Sequence, residues 1–263
     1  MNLQNRDYML ILTDDEKEAY QAEISYENKK GIKRPSDSPR FSHTNKEIRK
    51  FLWCKTSLFP NNFLYFNEYK DLDLKMESDK FRELIYSDKN EQEIQRYIKN
   101  NKKWFIPGSI LLDYNFGHHD AYLFPEQQLG NDYVVDYMLI GANSDGYSIV
   151  LVEFEKANVS YLISTPNTES ESVRKGISQI QDWKRWMDSN RDYFLKNIGL
   201  KKQGIDVPTF RIYYYLVVSR RDFMDTVALD VRCQSVYEKP NTKIVTFDRL
   251  ADNIKKLSNS ATW

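Results

Sequence analysis

Glu153 and Glu155 end the stretch IVLVEFEKA two residues apart, directly after the apolar run Ile149, Val150, Leu151 and Val152. Side chains alternate along a strand, so Ile149, Leu151, Glu153 and Glu155 share one face, and Val150, Val152 and Phe154 share the other. Both faces begin apolar, which predicts a central strand covered on both sides. A carboxylate in that setting must find a partner or take up a proton. A divalent cation is one such partner, because it demands hard oxygen ligands. Asp136 poses the same problem in DYVVDYMLI, where it sits among Val134, Val135, Met138 and Ile140. One aspartate and one or two glutamates on neighbouring strands can converge on a single magnesium ion. The competing reading is structural, with both glutamates at the point where the strand leaves the sheet, solvated or paired with Lys156 or a nearby arginine.

The elements that must position these acids are read from local pattern. SDKNEQEIQRYIKNN places a serine and an aspartate before Ile94, Tyr97 and Ile98 at helical spacing, and Pro107 and Gly108 stop any continuation of that helix. After an irregular aromatic stretch, DYVVDYMLI and YSIVLVEFEKA read as two strands joined by the turn GANSDG, a hairpin or meander. Val173, Ile177, Ile180, Trp183 and Met187 mark a long amphipathic helix. RIYYYLVVS and TKIVTF complete the strands, and FDRLADNIKKL closes the chain as a helix. The order helix, strand, strand, helix, strand, strand, helix predicts a mixed α/β (α+β) domain, a mixed sheet flanked by helices. We divide the chain into an N-terminal accessory region, 1–85, and this domain, 86–263. In the first part DDEKEAYQAEISYENKK and TNKEIRKFLW look helical, GIKRPSDSPRFS is a loop, and LYFNEYKDLDL is a strand followed by a turn.

Composition narrows the function classes. Hydrophobic residues make up 41% and charged residues 29% of 263 residues, a globular balance. No run is long enough to span a bilayer and no secretory leader pattern opens the chain, which predicts a cytoplasmic protein without membrane partners. Cys54 and Cys233 are isolated, so neither a disulfide framework nor a cysteine metal site is expected. Lys and Arg balance Asp and Glu at 38 each, which argues against a general cationic coat. Between Arg174 and Arg221, however, eleven Lys and Arg face four Asp, a net excess of seven positive charges, either a local basic surface or a solvated helix face and loop. No glycine phosphate loop or dinucleotide fingerprint is present, so no nucleotide cofactor is expected. Adjacent His118 and His119 point apart on any regular element and are read as loop residues, Trp183 is read as core, and the tyrosines 213–215 as an aromatic strand.

An Asp on one strand, a turn, and an apolar strand ending in Glu-x-Lys or a variant resembles the PD-(D/E)XK nuclease superfamily. Asp136 in VVDYMLI and Glu153 in IVLVEFEKA carry this pattern, followed by GISQIQDWKRW, which looks like the Gln-x-x-x-Tyr type helix of many members. More narrowly, NEQEIQRYIKNN, FPEQQLGNDYVVDYMLIG, VLVEFEKAN, GISQIQDW, YYYLVVSRRD and VTFDRLADNI, in that order, are similar to the C-terminal domain of Shedu-type antiphage defence proteins, over Ser87 to Leu257. The resemblance implies a restriction-endonuclease-like fold and a Mg2+-dependent DNA endonuclease, with Mn2+ as a substitute ion. It implies Asp136 and Glu153 as metal ligands, with Glu93 from the opening helix, or Glu91 in its place, as a further acid. Gln179 becomes a polar catalytic helper. Glu155 departs from the pattern, since it occupies the usual lysine position; there it acts as general base, binds a second ion, or marks lost activity. Lys175, Lys184 and Arg185, on the long helix, are assigned to phosphates by sign and position. Invading DNA and further copies of the chain are the implied partners. The alternatives are a nuclease-fold nucleic-acid-binding or assembly module without cleavage, and a restriction or repair nuclease with the same chemistry.

Overall fold

The computed structural model describes residues 3–29, 31, 33–163 and 168–263. Its centre is a five-stranded sheet, in the order β1 (Ala121–Leu129), β2 (Tyr133–Asn143), β3 (Gly146–Phe154), β4 (Ile212–Val217) and β5 (Thr242–Val245). The first three strands form an antiparallel meander, and β3, β4 and β5 run parallel. The sheet is therefore mixed, and β3 is central, as its two apolar faces predict.

Helices cover both faces. On one side lie α4 (Leu74–Tyr86), α5 (Glu91–Asn100), the short α6 (Phe105–Gly108) and α9 (Phe247–Leu257), whose Phe81, Ile94, Leu250 and Ile254 pack with Val150, Val152 and Phe154 of β3. On the other side lie α1 (Asp14–Asn28), α3 (Lys46–Lys55) and α7 (Glu171–Asn197), with the short α2 (Pro39–Ser42) against α3 and α8 (Thr226–Tyr237) against β5. There Phe51, Val173, Ile180 and Trp183 pack with Ile149 and Leu151. Residues of the first 85 thus enter both cores, Phe81 on one face and Phe51 on the other.

Two elements escape the sequence pattern, and one expected strand is absent. β1 holds Pro125 and the polar run Glu126, Gln127, Gln128, so its alternation is broken; it pairs with β2 all the same, interrupted only at Glu126, whose φ is 53°. In α8 the apolar residues are not confined to one face, leaving Val227 and Leu229 exposed. LYFNEYKDLDL is not a strand: Phe66–Tyr69 is a 3-10 turn leading into α4, and an isolated bridge falls just before the stretch, Phe63 to Tyr122. No helix among the described residues is long and apolar enough to cross a membrane.

Candidate active site

The antiparallel pairing of β2 and β3 stops at Tyr137 opposite Val152, whereas β3 continues through Phe154 beside β4. At that ending the Phe154 amide has no β2 carbonyl as partner and donates instead to Asp136 Oδ2, at 2.7 Å. Asp136 thus finishes the ladder with its side chain. Val135 packs in the core on the α7 side and Tyr137 in the core on the α5 side, so the alternation of β2 breaks at Asp136, which meets Gln95 of α5 as well as the Phe154 amide. The α7-side face of β3 carries Ile149 and Leu151. Glu153 and Glu155 share that face, and both are buried, 5% and 1% exposed.

α7 is brought close by Gly176. A Cβ there would stand 2.5 Å from Leu216 Cδ1 and 3.1 Å from Glu155 Cγ, so glycine alone permits this approach of helix to sheet. Its neighbour Lys175 reaches Glu155, Nζ to Oε1 2.7 Å. One turn further on, the Gln179 carbonyl oxygen is buried with no hydrogen-bond partner among the described residues. α5 supplies the fourth acid. Asn158, just after β3, donates to the Ser87 carbonyl at 2.6 Å and ties the end of β3 to the start of α5. Glu91, in the first turn, then lies within electrostatic reach of Glu155 and Asp136. Gln95, one turn later, hydrogen-bonds Asp136 and donates to Glu91 at 3.5 Å. Beside Asp136 opens a cleft of about 440 Å³, edged by Gln92, Gln95, Arg96 and Lys99 of α5 and by Glu126.

Four carboxyls with one close lysine make a strongly negative enclosure. Burial, and then the charges of Asp136, Glu155 and Glu91, push the Glu153 carboxyl far above the ordinary carboxylate range. Asp136 is also raised, chiefly by burial, against the pull of the Phe154 amide and Gln95. Glu91 is pushed up to about 7 by burial and by Glu155 and Asp136. Burial opposes the charge of Lys175, but the Glu155 hydrogen bond and the surrounding acids outweigh it and raise its pKa.

Glu153 differs from the other buried carboxylates. Glu16 is held by Arg6, Glu23 by Ser38 and Arg40, Glu77 by Lys103, Asp248 by Arg82 and the Arg221 amide, and Glu155 by Lys175. Among the described residues Glu153 alone of these makes no hydrogen bond or ion pair. The donor set suits a hard divalent cation, being acidic, oxygen-rich and short of compensating charge. Among the described residues no three His, Cys, Asp or Glu side chains are grouped so that they could hold a metal ion as they stand: Asp136 is held by the Phe154 amide and Glu155 by Lys175.

The structure brings Asp136, Glu153, Glu155 and Lys175 together, sets Gln179 one turn along α7 from Lys175, and leaves three predicted residues elsewhere. Glu93 closes the N-terminus of α5: it accepts from the Asn90 amide at 3.0 Å while Asn90 accepts from its own amide, and it pairs with Lys89. Its place beside Asp136 is taken by Glu91. Lys184 lies about 13 Å further along α7 than Lys175 at the helical rise, donates to the Pro240 carbonyl and sits 5.1 Å over the Tyr214 ring. Arg185 is turned to Asp182. Trp183 is fully buried in the core, and His118 and His119 are exposed loop residues, as expected. Gln95 and Arg96 were not singled out in the sequence. Their signal was the 91, 95, 99 and 92, 96 spacing opposite Ile94 and Ile98.

Comparison with known proteins adds one finding. A family model described as Shedu protein SduA, C-terminal, matches residues 88–251. No curated protein matches the chain.

Proposed function

The chain belongs to the Shedu family of antiphage defence proteins, and from that premise we propose that it is a divalent-cation-dependent endonuclease that hydrolyses phosphodiester bonds in invading DNA. The supporting observation is Glu153, 5% exposed and with no hydrogen bond or ion pair among the described residues, at the point where β2 and β3 stop pairing and three further acids gather. An acid so placed is costly to ionise until a cation offsets its charge.

Asp136 and Glu153 would hold the cation, Mg2+ or Mn2+, with Glu155 or Glu91 as a further oxygen donor. When bound, the ion lowers the pKa of water and offsets charge on the phosphate oxygens. The protein side of the chemistry rests on the geometry. Gly176 fixes α7 against β3, so that Lys175 and Gln179 border the enclosure. Lys175 supplies, from a helix, the positive charge that Glu155 does not supply from the strand. Arg96 is exposed on the cleft and makes no ion pair among the described residues, which leaves its guanidinium available to a phosphate. Where Glu155 rather than Glu91 completes the donors, Glu91 at the edge of the enclosure would be free to take the proton of the attacking water as the bridging P–O bond breaks and the departing oxygen is protonated from solvent. Burial around Asp136 and Glu153 keeps bulk water from screening these charges.

The test is cleavage by the purified protein of linear, nicked, circular and single-stranded DNA, with Mg2+ or with EDTA. Cation-dependent cutting of at least one form, lost in Asp136→Asn, is the expected result. Absence of cutting on all forms, with DNA still bound, would favour the binding-module reading instead.

A further inference from the structure

Two neighbouring hollows, remote from the acids, share Tyr65 and Asn67 as their common wall. The first, of about 490 Å³, is walled by Phe41, Trp53, Phe63, Phe66 and Trp263. These rings are braced against one another: Phe41 meets Trp53 edge-on at 5.0 Å between centroids, and Phe66 meets Trp263 at 5.5 Å. His118 and His119 stand exposed at its rim, and neither imidazole makes a hydrogen bond among the described residues. The hollow is thus apolar and planar inside, with free donors and acceptors at its edge.

The second hollow, of about 390 Å³, carries four cations, Lys46, Arg49, Lys50 and Lys70, against three carboxylates. Lys46 is matched by Asp71 and Lys50 by Glu68. Among the described residues Arg49 bonds only the main-chain carbonyls of His43 and Thr44, which carry no charge to offset its own, and the third carboxylate, Glu47, makes no ion pair. Lys70 has no ion pair among the described residues and lies 6.0 Å over the ring of Phe66. Because Phe66 also walls the aromatic hollow, Lys70 stands at the seam between the two.

We propose that the paired hollows bind a free nucleotide, with the base against Phe41, Trp53 and Phe66 and the phosphate on Arg49 and Lys70. A heteroaromatic base needs flat apolar walls and edge partners, here the histidines and Asn67. A phosphate needs cations near the base: Lys70, over Phe66, has no ion pair among the described residues, and Arg49 would exchange its carbonyl bonds for the phosphate. Each volume lies within the usual range for small-molecule sites. The absence of a glycine phosphate loop, which led to the expectation of no nucleotide cofactor, does not bear on this site, where rings and side-chain charge do the holding. Of the residues named, only His118 and His119 fall inside the family-matched span, so the site belongs mainly to the N-terminal part and the C-terminal tail. It is independent of the nuclease reading.

The experiment is calorimetric titration of the Asp136→Asn protein, which leaves these hollows untouched, with the four common nucleoside monophosphates, their nucleosides, inorganic phosphate and a short single-stranded oligonucleotide. At least one monophosphate is expected to bind about tenfold or more tighter than its nucleoside. Phe41→Ala and Lys70→Glu alter exposed side chains; each is expected to weaken that binding about tenfold while leaving the melting temperature unchanged. The proposal is overturned if no monophosphate binds up to about 1 mM, if nucleoside and nucleotide bind alike, if only the oligonucleotide binds, or if both variants bind as the parent does.

Discussion

Glu153 and Glu93 are the two residues at which local chemistry decides most. Glu153 is buried and has no hydrogen-bond or ion-pair partner among the described residues, and Glu93 has two, the Asn90 amide and Lys89. Replacing Glu93 by Ala should therefore lower stability slightly, by removing the N3 half of a capping box, and leave DNA cleavage unchanged. Glu91→Gln should do the opposite, reducing cleavage about tenfold or more with little loss of stability; equal effects in urea melts and cleavage assays of the two variants would contradict this division. The acids of β2 and β3 were legible in the sequence because they stand among apolar strand residues. The choice between Glu91 and Glu93 was legible too, but in a different signal: Asn90 with Glu93 three residues on is a capping box, and a glutamate committed to a helix end is not available to a site.

At the scale of elements, the enclosure depends on how closely α7 lies on the sheet. Gly176→Ala would place a methyl 2.5 Å from Leu216 Cδ1 and 3.1 Å from Glu155 Cγ. We expect a loss of about 1–3 kcal/mol in chemical denaturation, the range for overpacking, together with a fall in cleavage larger than the fall in folded fraction, since the helix that carries Lys175 and Gln179 must lift. Unchanged cleavage in a folded variant would show that the close approach serves packing alone. The helical period of α7 and α5 and the central place of β3 were visible in the sequence. β1 was hidden by Pro125 and three polar residues, and α8 by apolar residues on all its faces. Lys184 and Arg185 were placed by sign alone, and the partners that occupy them, the Pro240 carbonyl, Tyr214 and Asp182, are non-local or a helical turn away.

For the whole molecule, the acidic enclosure sets a direction for pH dependence. Asp136, Glu153 and Glu91 have pKa values raised in the folded state, so between the ordinary carboxylate range and those raised values the folded protein binds more protons than the unfolded chain. Stability contributed by these groups is therefore present at low pH and lost as pH rises through neutrality. Thermal melts without divalent cation should show a melting temperature that falls from pH 5 to pH 8, less steeply in Glu153→Gln; a slope unaffected by that substitution would remove Glu153 as its source. A cation needs the same carboxyls ionised, so its affinity should rise over the interval in which the cation-free fold weakens. The most direct test of the central claim is a calorimetric titration of Mg2+ into the parent protein and into Glu153→Gln at pH 8. Binding by the parent, weakened about tenfold or more in the variant, is the expected result. Equal binding by both, or none by the parent, would contradict a cation site at Glu153.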